Sequence, residues 1–339
     1  MQIISWIIGT LLQWYIWMPI VAVLMFLTWR YYRKIEDFTP IESVLLVLEI
    51  SRTNDKQELA AEQLFASLHG ILRDNKELRL SGGHQEHISF EIASVNGQIR
   101  FYVWVPKTLQ SFVEGQIYSQ YPTVQIHQAD EDYTEHERDH EVAYSTELTL
   151  TTDEFLPIRT FQNFEVDPLA GITGTLAKLE TTGEELWIQV LVRPIPDDWQ
   201  NAADRYINSI KNGRMFSLPG FGGSMQWLIG VLGALWQPPE QGVGQSAKIE
   251  LSDRDKTRIS EAEKKATKLG YEVKIRLVYM GESQTNAKLR MQALVGTFKQ
   301  FNSTNLNGFH AVKGAFGKEF IDKYRKRSFI GDGFILNIE

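Results

Sequence analysis

His136, Glu137, Arg138, Asp139 and His140 spell H-E-x-x-H. On a helix, histidines four apart share one face and can hold zinc, with the glutamate as general base. The surroundings argue against that chemistry. Asp130, Glu131, Asp132, Glu135, Glu137, Asp139 and Glu141 crowd the same stretch, leaving no apolar face to bury a helix and no evident third ligand. A metallohydrolase needs its ion in a dry, shaped cleft. Residues 130–141 therefore read as a solvated acidic linker, with a zinc hydrolase using His136, Glu137 and His140 as the alternative.

Other catalytic patterns fail sooner. A phosphate-binding loop would read G-x-x-x-x-G-K-[ST], and the 339 residues contain none. Gly242 to Ala247 (GVGQSA) imitates a dinucleotide fingerprint, but it follows Pro238 and Pro239 rather than a strand. There is no nucleophile elbow, and without cysteine there is no thiol chemistry. No catalytic, cofactor-binding or metal-ligating residue is assigned, and no cofactor is expected. Lys313, Lys318, Lys323, Arg325, Lys326 and Arg327 form a basic stretch that reads as a solvated helix face, since charge runs usually have that role. A net charge of −7 argues against whole-surface attraction to DNA, so nucleic-acid contact is expected to be indirect at most.

The elements behind these residues begin with an apolar run. Ile3 to Trp29 carries no charged side chain and is followed by Arg30, Arg33 and Lys34. About 20 apolar residues span a bilayer as a helix, so the run predicts a transmembrane anchor within residues 1–36. Trp29, Arg30, Tyr31, Tyr32, Arg33 and Lys34 read as its interfacial belt, because Trp and Tyr favour the headgroup region. The order of apolar and basic residues is the reverse of a cleaved signal peptide. By the positive-inside rule the topology is single-pass in the cytoplasmic membrane, with the N-terminus out and the rest in the cytoplasm.

Beyond the anchor, the pattern predicts an α+β protein of two repeated units. Val44 to Ile50 (VLLVLEI) is a buried strand by its continuous apolar character, and leucines from Asp55 to Leu72 recur at helical spacing. His87 to Ser94 and Gln98 to Pro106 are strands joined at an Asn96-Gly97 hairpin turn, where positive φ is required. A helix over Lys107 to Tyr118 and a strand over Thr123 to Gln128 complete β-α-β-β-α-β, the ferredoxin-like order, in residues 41–129. Residues 142–313 repeat it. Asp167 caps a helix with Pro168 at its first position, EELWIQVLVR and YEVKIRLVYM are strands, and residues 194–270 form an insertion between them. Residues 314–339 form a basic C-terminal segment expected to lead to a further domain.

Inside the insertion, Met215 to Trp236 (MFSLPGFGGSMQWLIGVLGALW) is apolar and nearly chargeless. Apolar surface of that extent usually meets a partner or lipid, so Trp227, Leu228, Leu232, Leu235 and Trp236 are the candidate interaction patch.

Four phrases carry a resemblance: ELAAEQLFASLHGIL (Glu58 to Leu72), EIASVNGQIRFYVWVPK (Glu91 to Lys107), FVEGQIYSQYPTVQI (Phe112 to Ile126) and RSFIGDGFILNIE (Arg327 to Glu339). Together they resemble the uncharacterised, membrane-anchored N-terminal region of ATPases in type IV secretion and conjugation-like systems of small uncultivated bacteria, where such a region precedes a RecA-like motor of the FtsK/HerA type. The resemblance implies a non-catalytic docking and assembly module. It also implies a homo-oligomer or secretion-system proteins as partners and a RecA-like ATPase domain supplied in cis or in trans. A stand-alone membrane scaffold is the alternative.

Overall fold

The computed structural model describes residues 17–28, 42–50, 59–80, 84–135, 142–179, 183–211, 251–281, 283–312 and 318–339. In chain order its strands are β1 (Ser43–Glu49), β2 (Ile88–Val95), β3 (Gln98–Pro106), β4 (Gln125–Gln128), β5 (Val142–Leu150), β6 (Glu185–Pro194), β7 (Gly270–Gly281), β8 (Phe309–Ala311) and β9 (Phe334–Asn337). The helices are α1 (Leu59–Leu68), α2 (Asn75–Leu80), α3 (Gln110–Gln120), α4 (Pro168–Leu176), α5 (Asp198–Lys211), α6 (Asp253–Ala266), α7 (Gln284–Phe298) and α8 (Lys318–Arg325). Residues 17–28 are also helical. Among the described residues no helix is long and apolar enough to cross a membrane, and the remainder of the Ile3 to Trp29 run lies outside them.

The α+β expectation holds, with all strands in one nine-stranded sheet ordered β4-β1-β3-β2-β6-β7-β5-β8 and β9 added beside β7. Neighbours pair antiparallel throughout. Two lobes standing apart are not what forms: Ile88 to Ser94 of β2 pairs with Val192 to Leu186 of β6, so a single sheet runs through both halves. An unpaired edge leaves its amides and carbonyls unsatisfied, and joining β2 to β6 removes two such edges at once. The C-terminal segment also belongs to the body, since β9 pairs with the first residues of β7.

The local signals explain most elements. Asn96 and Gly97 take φ of 53° and 73° at the β2–β3 hairpin, as the turn requires. Asp167 accepts from the Leu169 amide ahead of Pro168, and Ser252 accepts from the Asp255 amide to start α6. Helices α1, α3, α4 and α7 cover one face over a core containing Leu46, Leu68, Val103, Ile117, Leu176, Leu277 and Leu294. A second core on the opposite face gathers Val47, Tyr102, Trp104, Tyr133, Trp187, Val278, Ile321 and Tyr324. Strand β1 is buried on both sides for this reason. Helices α5 and α6 enclose a third, smaller core with Ile207, Ile210 and Ile259.

Strand β7 begins where α5 approaches its backbone most closely. A Cβ on Gly270 would lie 2.5 Å from the Trp199 indole nitrogen, so Gly270→Ala must push the ring aside. That substitution is expected to lower stability by about 1–3 kcal/mol in chemical denaturation, the usual cost of overpacking.

Candidate functional site: a buried charge row

Strand pairing places one residue from each of six strands in a single line across the second face. Val47 faces Tyr102, Tyr102 faces Glu91, Glu91 faces Gln189, Gln189 faces Arg276, and Arg276 faces Glu147. Glu91 is 1% exposed and Arg276 2%. A carboxylate this deep is costly unless charge and hydrogen bonds answer it.

Glu91 is answered five times. Its Oε1 accepts from Ser89 Oγ at 2.7 Å, Gln189 Nε2 at 2.9 Å and Arg327 Nε at 3.1 Å. Its Oε2 accepts from the Tyr133 hydroxyl at 2.8 Å and Arg327 Nη2 at 3.1 Å. Because Tyr133 donates to Glu91, Tyr324 must donate to Tyr133 across their 2.9 Å contact. Arg327 also grips Asp132, through Nη1 and through Nη2 at 3.0 Å. The row continues as Arg276 Nη1 donates to Gln189 Oε1 at 3.2 Å and Nη2 to the Ser328 carbonyl at 2.6 Å. Glu147 lies 3.7 Å from Arg276 and 3.6 Å from Lys274.

The electrostatics come from this geometry. Burial pushes the Tyr133 and Tyr324 hydroxyls well above their ordinary range, with the Glu91 charge adding to it. Burial opposes the charge on Arg327, yet Glu91 and Asp132 together hold its pKa well above normal. Burial likewise opposes the charge on Asp132, and the Arg327 hydrogen bond and charge outweigh it and lower the pKa. Arg327 stands at φ 47°, a left-handed conformation uncommon for such a side chain, and the five-residue cluster of Glu91, Asp132, Tyr133, Tyr324 and Arg327 holds it there.

Beside the row, a cleft of about 570 Å³ opens between the start of β1, the 128–135 segment and residues 325–332. His87 stacks on Trp104 in its wall, with ring centroids 5.2 Å apart. Its Nε2 lies 2.7 Å from the Arg327 carbonyl, so that nitrogen carries the proton and Nδ1 is left as an acceptor. Burial holds the His87 pKa down to about 3, against the raising effect of that hydrogen bond.

Most residues singled out from sequence do not meet here. Trp29, Arg30, Tyr31, Tyr32, Arg33, Lys34, Trp227, Leu228, Leu232, Leu235 and Trp236 lie outside the described residues, as do His136, Glu137 and His140. Among the described residues no three acidic or histidine side chains are placed to share a metal ion. Two expectations from sequence are corrected. Arg327, expected on a solvated basic face, is 3% exposed, and Tyr133, within the supposed solvated linker, is 2% exposed. The reason is the same for both: Glu91 is inside, and they answer its charge. Lys323, by contrast, does lie along a helix face, pairing with Glu319 one turn away. The signal for the row is polar residues at alternate positions of otherwise apolar strands, Ser89 and Glu91 in β2, Gln189 in β6, and Lys274 and Arg276 in β7. That alternation usually marks a solvent face, but here it marks a face covered by α8.

Two measurements test the charge row and its histidine. Arg327→Met strands a buried carboxylate and is expected to cost about 3–5 kcal/mol in urea unfolding, much of it recovered when Glu91→Gln is added. His87 gives a pH dependence. The unfolded chain takes up a proton below the ordinary value of 6.5, while the folded chain resists until about 3. Stability is therefore complete above 6.5 and declines as pH falls through that window. Urea midpoints across the window should show the decline in the parent and a flatter profile in His87→Phe.

No curated protein matches the chain. Among solved structures, aclacinomycin oxidoreductase is similar at 9% identity and a TM-score of 0.30, over 78% of this chain and 42% of that one. Xylooligosaccharide oxidase from Myceliophthora thermophila C1, in complex with xylobiose, is similar at 10% identity and 0.29, over 86% and 51%. The chain spans about half the length of these proteins or less, and likeness at this level carries nothing about chemistry. The profile of a domain of unknown function, DUF8128, matches residues 39–331, which hold the whole charge row and nearly all of the cleft wall. The chain belongs to the DUF8128 family.

Proposed function

We propose that this chain is a non-catalytic docking and assembly module, anchored in the cytoplasmic membrane through Ile3 to Trp29 and serving a translocation ATPase of the type IV secretion or conjugation kind. The observation that carries the reading is the helix at residues 17–28. Its large apolar side chains are exposed, from 43% at Ile20 to 69% at Met25, which is stable only when lipid or another protein covers them. Thr28, the polar side chain at its end, returns its hydroxyl to the Leu24 and Met25 carbonyls at 2.8 and 3.0 Å. A hydroxyl satisfied inside its own helix suits an apolar surrounding.

The body suits association rather than turnover. Its buried charges are committed to one another, and Glu91 has no lone pair left to act as a base. We read each half as a ferredoxin-like unit. The first half orders its strands β4-β1-β3-β2 and the second β8-β5-β7-β6, each half with a helix after its first and third strands. The RecA-like motor would come in cis or in trans. The Met215 to Trp236 insertion, with Trp227, Leu228, Leu232, Leu235 and Trp236, is the proposed partner surface, and nucleic-acid contact is at most indirect.

Membrane fractionation with an alkaline carbonate wash tests the anchor. The full chain should stay in the pellet, and a chain lacking Met1 to Arg33 should move to the supernatant. A full chain recovered in the supernatant would sink the anchor reading. Co-purification with a motor that survives the triple change Trp227→Ser, Leu228→Ser and Trp236→Ser would remove the insertion from the interface. Co-purification with no ATPase at all would favour a stand-alone scaffold.

A further inference from the structure

On the helix-covered face, above the seam where β6 and β7 run side by side, two adjoining chambers open between the helix pairs. One, of 280 Å³, is walled by Phe65, Phe161, Phe164, Val192, Tyr271 and Phe301. The other, of 550 Å³, is polar, with Asn163, Thr257, Lys264 and Ser303 in its wall. Arg159, Thr160 and Lys265 border both. An apolar chamber ending at a few convergent polar groups is the usual form of a small-molecule site.

The boundary between the chambers carries two cations, Arg159 and Lys265, and one carboxylate, Glu339, which pairs with Lys268. Lys265, on α6, is 2% exposed. Its ammonium donates to the Glu154 carbonyl and, at 2.8 Å, to the Ile335 carbonyl. An ammonium has three donors, so one remains after these two. Arg159, exposed to solvent, borders the same two chambers with its guanidinium 5.7 Å from the centre of the Phe164 ring. Of the acids nearby, Glu261 pairs with Lys264 at 2.6 Å and Glu339 with Lys268 at 2.9 Å, while Glu154, whose Oε2 accepts from the Ile335 amide at 3.2 Å, also acts on Lys265 through its charge. Tyr271 gives its hydroxyl to the Phe65 carbonyl at 2.6 Å.

We propose that the two chambers form a binding site for a single-chain amphiphile with a carboxylate head, a medium-chain fatty acid being the simplest case. The chain lies in the phenylalanine-walled chamber over Val190 and Val192. The carboxylate accepts from the remaining Lys265 donor and from Arg159. This inference rests on the cavity alone and stands or falls apart from the docking role.

The site carries its own signature in pH. Burial lowers the Lys265 pKa to about 7, with Glu154 acting in the opposite direction. Below that value the ammonium is already charged and meets the carboxylate directly. Above it, binding must first draw a proton onto the amine, so affinity falls as pH rises.

The probe is decanoic acid bearing a diazirine on its chain, added to membranes containing the full protein, irradiated, and mapped by mass spectrometry. Label is expected on Pro157 to Pro168 and on Leu336 to Ile338, displaced by excess decanoate and much less by decanol. Specific labelling should drop about tenfold or more from about pH 6 to about pH 9. In Lys265→Met it should be weak and flat with pH. Val190→Phe, which fills the apolar chamber without touching Lys265, should abolish it and keeps the test decisive if Lys265→Met does not fold. Label spread without preference over other segments, or labelling at these peptides unchanged by either substitution, overturns the proposal.

Discussion

A carboxylate placed inside a protein is stable only if donors and positive charge reach it, and Glu91 imposes that demand on this fold. It sits on β2, the strand by which the first half meets the second. Its answer comes from everywhere: Ser89 from its own strand, Gln189 from across the seam, Tyr133 from the segment after β4, and Arg327 from beyond α8. Removing Arg327 leaves neutral donors holding a charge that they do not balance alone. Ion pairs buried this way seldom add net stability over a well-packed apolar equivalent, but they penalise every arrangement that leaves them unpaired. The row thereby selects one register for β2 against β6. A slip of one residue would turn Glu91 toward the opposite, apolar core and away from all its donors.

The two faces of the sheet divide the work. On the helix side, aliphatic side chains of β1, β3, β6 and β7 pack under four helices, and the stabilisation there is the ordinary one of area removed from water. That face would tolerate small shifts between halves. Among the described residues the other face is covered by α8, the 129–135 segment and residues 325–332, and its aromatic group of Tyr102, Tyr133 and Trp187 closes over the charge row. The apolar side supplies most of the energy and the polar side supplies the uniqueness.

Sequence reading recovers what depends on neighbours in the chain. The Asn96-Gly97 turn, the Asp167 cap and the buried β1 strand are all legible because each is set within a few residues. The seam, the burial of Arg327 and the role of Asp132 are not, because they depend on partners such as Glu91 and Arg327, 236 residues apart. A charged residue alternating with apolar ones has the same pattern whether its face meets water or a complementary charge. Only the knowledge that α8 returns to that face separates the two. The cavity at Lys265 is equally silent in sequence, since α6 there reads as a charged surface helix, and only packing against the loop after β5 and the β9 carbonyl draws its amine inside.

The distance along the chain between Glu91 and Arg327 also sets an order of events at the ribosome. When β1 to β4 have left the exit tunnel, their own hairpins and helices can form, but Glu91 has neither its guanidinium nor the β6 strand that covers the exposed edge of β2. The first half must wait, with an open strand edge until β6 is made and with a hydrated carboxylate until the residues around Arg327 follow. A nascent chain in that condition is open to wrong pairing with other strands. High sequence separation of this kind also slows closure once synthesis is complete. The fold is therefore one that completes late, with the segment around Arg327 arriving after the strands it locks.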